Sequence, residues 1–331
     1  MRALIISCSL IAIILVAAAL WWRSITPSND RDWAPDVARM TTGSLSLATH
    51  SGKRATIETS STAPLASDAT ELVTLHNVRN FTWRSETDID ERWETRHYDL
   101  AQLSSVDLVV SYWTIPAIAH TLVSFGFDDG RHVVFSVEIR KEKGEEFSEI
   151  GGFLKRFELS VIAADERDII GVRSKVRDEK VFLFRTQLNA ADRRALFLAY
   201  VNEANTLAAT PRFYHTLTAN CTTIVFGMMQ RIIGDLPWDY RLLASGYLPN
   251  YVYDLGGLDT RYDFATLERM GYVSRRVNAA LSDAAAADAK GDASADAGVE
   301  AGAVANRATE AAEIEFSRAI RVGIPELSGK N

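Results

Sequence analysis

Two stretches of the chain alternate apolar and polar positions in the way a half-buried strand does. Residues 117–127 end in His120-Thr121-Leu122-Val123-Ser124-Phe125-Gly126-Phe127, and residues 131–140 read RHVVFSVEIR. Between them stands Asp128-Asp129-Gly130, which is turn chemistry. Two alternating runs across a short Gly-containing loop predict a β-hairpin. With those three residues as the loop, Phe127 pairs with Arg131, and counting back along both strands sets His120 opposite Glu138. Opposed residues share a sheet face with Cβ atoms about 4.5–5.5 Å apart. A loop one residue shorter would break the pairing. The face of His120 and Glu138 also carries Ser124, His132, Ser136 and Arg140. Val123, Phe125, Phe127, Val133, Phe135, Val137 and Ile139 point the other way. Spacing alone favours an ordinary hairpin with its polar face in water.

Weaker patterns fill in the rest. Residues 71–85 suggest an early strand pair, and 157–163 and 180–185 further strands. Residues 190–208 have the apolar spacing of an amphipathic helix. Residues 222–234 read as a buried helix, 238–259 as an ordered loop region, and 262–281 as another helix. The expected class is α+β, with an antiparallel sheet packed on helices. Residues 41–69, rich in Ser, Thr and Ala, read as a flexible linker, so the folded body is expected to start near Leu72. Residues 282–306 are Ala, Asp and Gly and read as disordered low complexity.

Residues 3–22 form an almost uncharged apolar run, ALIISCSLIAIILVAAALWW. At about 1.5 Å per residue, some 20 helical residues cross a hydrocarbon core of about 30 Å. Trp21 and Trp22 close the run, where amphipathic rings favour the headgroup region. The reading is an uncleaved anchor with an exported body. A cleaved signal peptide competes with it, since residues 17–19 are small. The layout is thus an anchor at 1–23, a juxtamembrane segment and linker at 24–70, a main domain at 71–281 and a tail at 282–331. The formal net charge of −7 over 331 residues gives no basic surface for nucleic acid.

The chain has two cysteines. Cys8 lies in the apolar run and reads as a small apolar helix residue. Cys221 is then a lone thiol in an oxidising compartment, where an inert buried residue and a reactive one are both open readings. Its neighbours are Thr218-Ala219-Asn220-Cys221-Thr222-Thr223, just before the apolar helix. A helix N-terminus carries partial positive charge and unpaired N–H groups. Both favour the thiolate, the nucleophilic form, and the N–H groups could hold an oxyanion. Asn220 and Thr222 are therefore expected to support the site, although Asn220, Thr222 or Thr223 could equally cap the helix. A thiol nucleophile needs a base. Of six histidines, His50 lies in the linker, His76, His97, His132 and His215 have mixed surroundings, and His120 has Glu138 opposite it as an orienting group.

Asp165, Glu166, Arg167, Asp168 and Arg173 form a dense charged cluster. It reads as an ion-pair network. The alternative is a headgroup site, in which Arg167, Arg173 or the hairpin's Arg140 would bind phosphate. With no CxxC pair, no HExxH and no Gly-rich phosphate loop, no metal or cofactor is expected.

The stretches HTLVSFGFDDGRHVVFSVEIRKEKGEEFS, ADERDIIGVRS and RFYHTLTANCTT resemble the family of the periplasmic N-terminal domain of Lnb, a lipoprotein N-acyltransferase. The similarity covers about residues 72–262, and Arg31-Asp32-Trp33 also fits. The family looks like a permuted branch of the papain-like, NlpC-type thiol enzymes, with the histidine strand first and the cysteine helix later. The resemblance implies Cys221 and His120 as the reacting pair, with Glu138 as third member; Ser136, on the same hairpin face, is a site-supporting candidate. It implies a membrane-anchored periplasmic acyltransferase or hydrolase working through an acyl-thioester on a membrane lipid or lipoprotein. The chain departs from a full Lnb-like protein in having one N-terminal apolar segment and no C-terminal membrane bundle. A cell-wall peptide amidase of the NlpC type and a non-catalytic anchored module are the alternatives.

Overall fold

The computed structural model describes residues 2–49, 54–57, 69–146, 151–291 and 299–326. The N-terminal run forms helix α1 (Arg2–Ser24). Among the described residues, no helix is long and apolar enough to cross a membrane. The run expected to be an anchor is therefore helical. His50 lies outside the described residues.

The strands are β1 (Thr42–Thr49), β2 (Arg54–Ile57), β3 (Ala69–Arg79), β4 (Thr82–Trp83), β5 (Ile89–Asp90), β6 (Trp93–Asp99), β7 (Leu103–Tyr112), β8 (Ala119–Phe127), β9 (His132–Arg140), β10 (Glu158–Ala164) and β11 (Lys180–Arg185). Nine of them make one sheet in the order β11-β7-β8-β9-β10-β3-β1-β2, with β6 also on β3. Its pairings are antiparallel except where β10 meets β3.

The β8–β9 hairpin has the register expected from its loop. Phe127 N donates to Arg131 O at 3.0 Å, and the ladder runs from Gly126↔His132 to Leu122↔Ser136. Gly130 takes φ +87°, a left-handed turn conformation that costs glycine little.

The expectation for residues 41–69 is corrected. Residues 42–49 are strand β1, paired with β3 from Thr42↔His76 to Thr49↔Ala69. Leu45 is buried, and Gly43 exchanges hydrogen bonds with the Asn205 side chain at 2.9 and 2.8 Å. The folded body therefore starts well before Leu72.

Helices cover both sheet faces. The helices that follow α1 are α2 (Glu166–Gly171), α3 (Ala190–Ala209), α4 (Thr223–Ile233), α5 (Leu248–Asp254), α6 (Phe264–Gly271), α7 (Ser274–Gly291) and α8 (Val299–Ile320). On one face α3 and α4 bury Phe197, Tyr200, Val201 and Met228 against Phe125, Phe135 and Val161. On the other, Ile169 and Ile170 of α2, Val277 of α7 and Phe316 and Ile320 of α8 pack on Leu122, Val134 and Ile162. This corrects two expectations. The hairpin's polar face is not in water, because Ser124 and Ser136 are wholly buried under the second helical layer. The tail is not all low complexity either, since α8 belongs to that layer. An Ala-rich helix with sparse large residues still buries a face when those residues fall on one side.

The charged cluster is an ion-pair network. Asp168 accepts from Arg79 at 2.9 and 3.0 Å, from Phe81 N at 2.9 Å and from Trp83 Nε1 at 2.7 Å. Asp165 caps α2 and pairs with Arg96 at 2.9 Å, and Glu166 bonds Ser124 and Arg321 of the α8 end. Arg167 gives its backbone N–H to the Asp165 cap.

Candidate active site

Strand β8 enters the sheet at Ala119, which is clamped by Ser245: its N–H donates to Ser245 Oγ at 3.0 Å and its carbonyl accepts from the same hydroxyl at 2.6 Å. Gly246 lies so close that a Cβ there would stand 1.9 Å from Pro116 O. The next residue, His120, is thereby fixed at the sheet end. Its Nε2 lies 2.7 Å from Ser136 Oγ and 3.2 Å from Glu138 Oε1. Ser136 Oγ donates to Glu138 Oε1 at 2.7 Å. A serine has one hydroxyl proton, so with that proton on Glu138 the oxygen accepts from His120 Nε2–H. The other ring nitrogen, Nδ1, is then the one available to exchange a proton with a thiol.

Arg173 completes the carboxylate's surroundings. Strand β10 leads into α2, which continues as a π-helical turn over Val172–Val176. That turn carries Arg173, whose Nη2 donates to Glu138 Oε1 at 2.9 Å and whose Nη1 donates to Glu179 Oε2 at 3.3 Å. Glu179 in turn accepts from Ser111 of β7. Arg173, read as part of an ion-pair network with a headgroup contact as the alternative, has its fork committed to the carboxylates of Glu138 and Glu179.

Cys221 comes to His120 from the other side, at the start of α4. It is 7% exposed. Its sulfur lies 4.0 Å from the Thr222 hydroxyl, and the His120 ring and the Thr121 N–H act on the thiol as neighbouring donors. Burial works against a thiolate, but the charge and hydrogen bond of His120, with those two donors, outweigh it and lower the thiol pKa. For His120, burial and the Arg173 charge oppose protonation. Glu138 and Cys221 overcome them and push the ring up to about 9. Burial would raise Glu138, yet the charges of His120 and Arg173 and hydrogen bonds from His120 and Ser136 hold it well below the usual carboxylate range. The three shifts all favour the charged forms: thiolate, imidazolium and carboxylate.

Two expected roles change. Asn220 caps α4: its Oδ1 accepts from Thr222 N and Thr223 N, each at 2.8 Å, while Thr223 Oγ1 accepts from Asn220 N at 3.1 Å. This is a capping box closed by threonine. The N–H groups of Thr222 and Thr223 are therefore engaged and do not form an oxyanion site. The Cys221 N–H, just before α4, has no acceptor among the described residues. Thr222 points its hydroxyl to Thr121 Oγ1 at 3.4 Å and to Cys221 Sγ at 4.0 Å. Arg140 is no headgroup contact. It binds Val37 O, Asn29 Oδ1 and Ala38 O at 3.1, 3.0 and 2.9 Å and lies 4.4 Å from the Trp33 ring centroid, pinning the segment after α1.

Sequence reasoning missed Tyr200 and Tyr214. Both hydroxyls are held above the ordinary range, first by burial and then by the negative charge on Cys221, joined for Tyr214 by Glu138. Tyr200 sits at an apolar position of α3, which hides its polar end. Tyr214 stands in the RFYHTLTANCTT stretch and was readable as a neighbour.

Residues 90–246 match the family model of the Lnb N-terminal periplasmic domain. This part of the chain is an Lnb N-terminal periplasmic domain. No curated protein and no solved structure matches the chain. The Lnb domain match takes in His120, Ser136, Glu138, Arg173 and Cys221, and its description puts the domain in the periplasm. Strands β1 and β3 and helix α8 lie outside the matched residues, so the Lnb domain here shares its sheet and its second helical layer with flanking chain.

Proposed function

We propose that this protein is a periplasmic thiol acyltransferase or hydrolase, held at the membrane by α1, that takes acyl groups from a membrane lipid or lipoprotein. The observation that carries the reading is the buried line Cys221–His120–Ser136/Glu138–Arg173. A lone buried cysteine with a depressed pKa, facing a histidine whose far nitrogen is oriented by a carboxylate, is the arrangement of an activated nucleophile. The strand of His120 precedes the helix of Cys221, an order that supports a permuted papain-like core.

The Cys221 thiolate attacks the acyl carbonyl carbon, forming the C–S bond. As the tetrahedral centre collapses, the C–O bond of an ester donor breaks and His120 Nδ1–H protonates the leaving oxygen. The product is an acyl-thioester on Cys221 and a neutral His120. An acceptor amine or water then attacks the thioester carbonyl, its proton passes to His120, and the thiolate leaves. Glu138, with Ser136, holds Nε2–H throughout and stabilises the imidazolium. The Cys221 N–H is the backbone donor nearest the developing oxyanion.

An acyl-ester activity probe tests this on the full chain, comparing the parent with Cys221→Ser and His120→Ala. The expected result is a thioester adduct in the parent alone. Equal labelling of the parent and His120→Ala would sink the pair. Turnover of a wall peptide with no labelling by the lipid ester would favour an amidase.

A further inference from the structure

Two groups of exposed large apolar side chains outside α1 lie on the segments that flank the candidate site. One group lies on the cysteine side. Leu217, 44% exposed, is in the turn closed by His215 N–H on Ala219 O, immediately before Cys221. Thr216 N donates to Gly152 O at 3.2 Å, which sets exposed Phe153 and Leu154 beside that turn, and the Phe153 and His215 rings meet edge-on at 5.9 Å. The other group lies on the histidine side. Trp238, 63% exposed, meets Phe226 of α4 edge-on, and Tyr240 and Leu243 are exposed in the segment that runs on to Ser245, the residue clamping Ala119. Hairpin residue Asp128 marks the opposite end of β8, about 26 Å from His120 at roughly 3.3 Å per residue.

The cysteine-side group is continuous with α1. Lys155 Nζ donates to Trp22 O at 3.0 Å and lies over the Trp22 and Phe213 rings at 5.4 and 5.7 Å. The end of α1 is thus seated on the same edge, and above it Ile13, Ile14, Leu15, Leu20 and Trp21 are all exposed. Contiguous exposed apolar surface of this kind marks a binding face. Aromatic and aliphatic residues beside an apolar helix with a Trp pair at its end have the composition of an interfacial contact.

We infer that these two groups form a lipid-facing surface that seats the domain on the bilayer with the Cys221–His120 pair opening at the headgroup level. The inference rests on the membrane-lipid reading of α1 and the site given above. Seated so, an acyl ester reaches the thiolate without leaving the bilayer, and the apolar rims exclude water from the thioester.

The test places single nitroxide labels on the full chain in anionic phospholipid vesicles, in a Cys8→Ala, Cys221→Ala background. Label sites are Leu154→Cys, Leu217→Cys and Leu243→Cys, with Val16→Cys in α1 and Asp128→Cys at the far end. Collision with oxygen against a water-soluble nickel chelate reads depth. The expected result is that 154, 217 and 243 are shielded from nickel like 16, while 128 is open to it. If 16 is shielded and 154, 217 and 243 are as open as 128, the surface is wrong and the anchor stands. If 16 is open as well, the anchor fails and the surface with it. Dipolar broadening among labels at 154, with no lipid contact, would give this face to a second copy of the chain and overturn the inference.

Discussion

Glu138 Oε1 stands 3.2 Å from His120 Nε2, with Ser136 Oγ wedged 2.7 Å from each. The carboxylate therefore reaches the imidazole both directly and through a hydroxyl. Charge on one side of the ring is balanced by the carboxylate and on the other by the sulfur, and that is why a buried histidine stays protonated.

The first prediction is a pH profile. With Cys221 lowered and His120 pushed up to about 9, the thiolate forms at lower pH than an ordinary thiol's. Alkylation of Cys221 by iodoacetamide should therefore rise at lower pH in the parent than in a variant without the imidazole. In His120→Ala it should rise with pH as an ordinary thiol does, around the reference value of about 8.5. A parent profile that climbs like the variant's would overturn the ion pair. The stability terms have definite signs. The raised His120 pKa contributes stability that is whole below its unfolded value and lost as pH rises through about 9. The depressed Glu138 pKa contributes stability present above its unfolded value and lost as pH falls.

Arg173 faces Glu138 and Glu179 at once. Arg173→Met leaves buried Glu179 without its cation and Glu138 with His120 alone, a loss of about 3–5 kcal/mol by analogy with broken buried pairs. A fall in melting temperature is expected. Arg173→Lys keeps the charge but not the fork, so it should fold and yet bind Glu138 less well, moving the alkylation profile of Cys221. An unchanged profile in a folded Arg173→Lys protein would make the arginine a purely structural cation.

Asn220 separates capping from catalysis. Asn220→Ala removes the acceptor for two helix N–H groups, which costs about 1 kcal/mol. Asn220→Asp keeps the acceptor but adds a negative charge next to Cys221. Near-parental melting with slower alkylation at neutral pH is the expected signature. Parental alkylation in Asn220→Asp would mean that the cap's charge does not reach the sulfur.

The hairpin and its register were legible because alternation on both strands and a three-residue turn fix a two-fold pattern with little freedom. That legibility extended to the facing of His120 and Glu138. Strand β1 was hidden by its Ser and Thr content, although Leu45 and Leu47 do alternate; the contacts that make it a strand come from β3 and from Asn205 on α3. Helix α8 was hidden because only Val299, Val304, Ile314, Phe316 and Ile320 break its polar and Ala-rich run. The burial of Ser124 and Ser136 depends on that distant helix and could not be read locally. Arg173 was visible as a charge, but its direction is set by a π-helical turn that no spacing rule anticipates.

Glu313 yields the last prediction. It lies on α8 and joins Asn80 at 2.6 Å, Arg96 at 3.1 Å and Arg92 at 3.2 Å, so it ties the second helical layer to the sheet. Burial, reinforced by the nearby Asp165 charge and opposed by Arg96, pushes its carboxyl up to about 7. A carboxyl with a raised folded pKa holds its proton more tightly in the native state than in the unfolded one. Stability from this group is therefore highest at low pH and falls as pH rises from about 4.5, its unfolded value, through about 7. Glu313→Gln stays neutral at every pH and removes that slope. Melting temperatures of the parent and the variant, measured between about pH 5 and 8, should diverge in the variant's favour as pH rises, and amide exchange in α8 should slow in the variant at the upper end. Parallel curves would show that Arg92 and Arg96 keep the carboxylate ionised across the whole range.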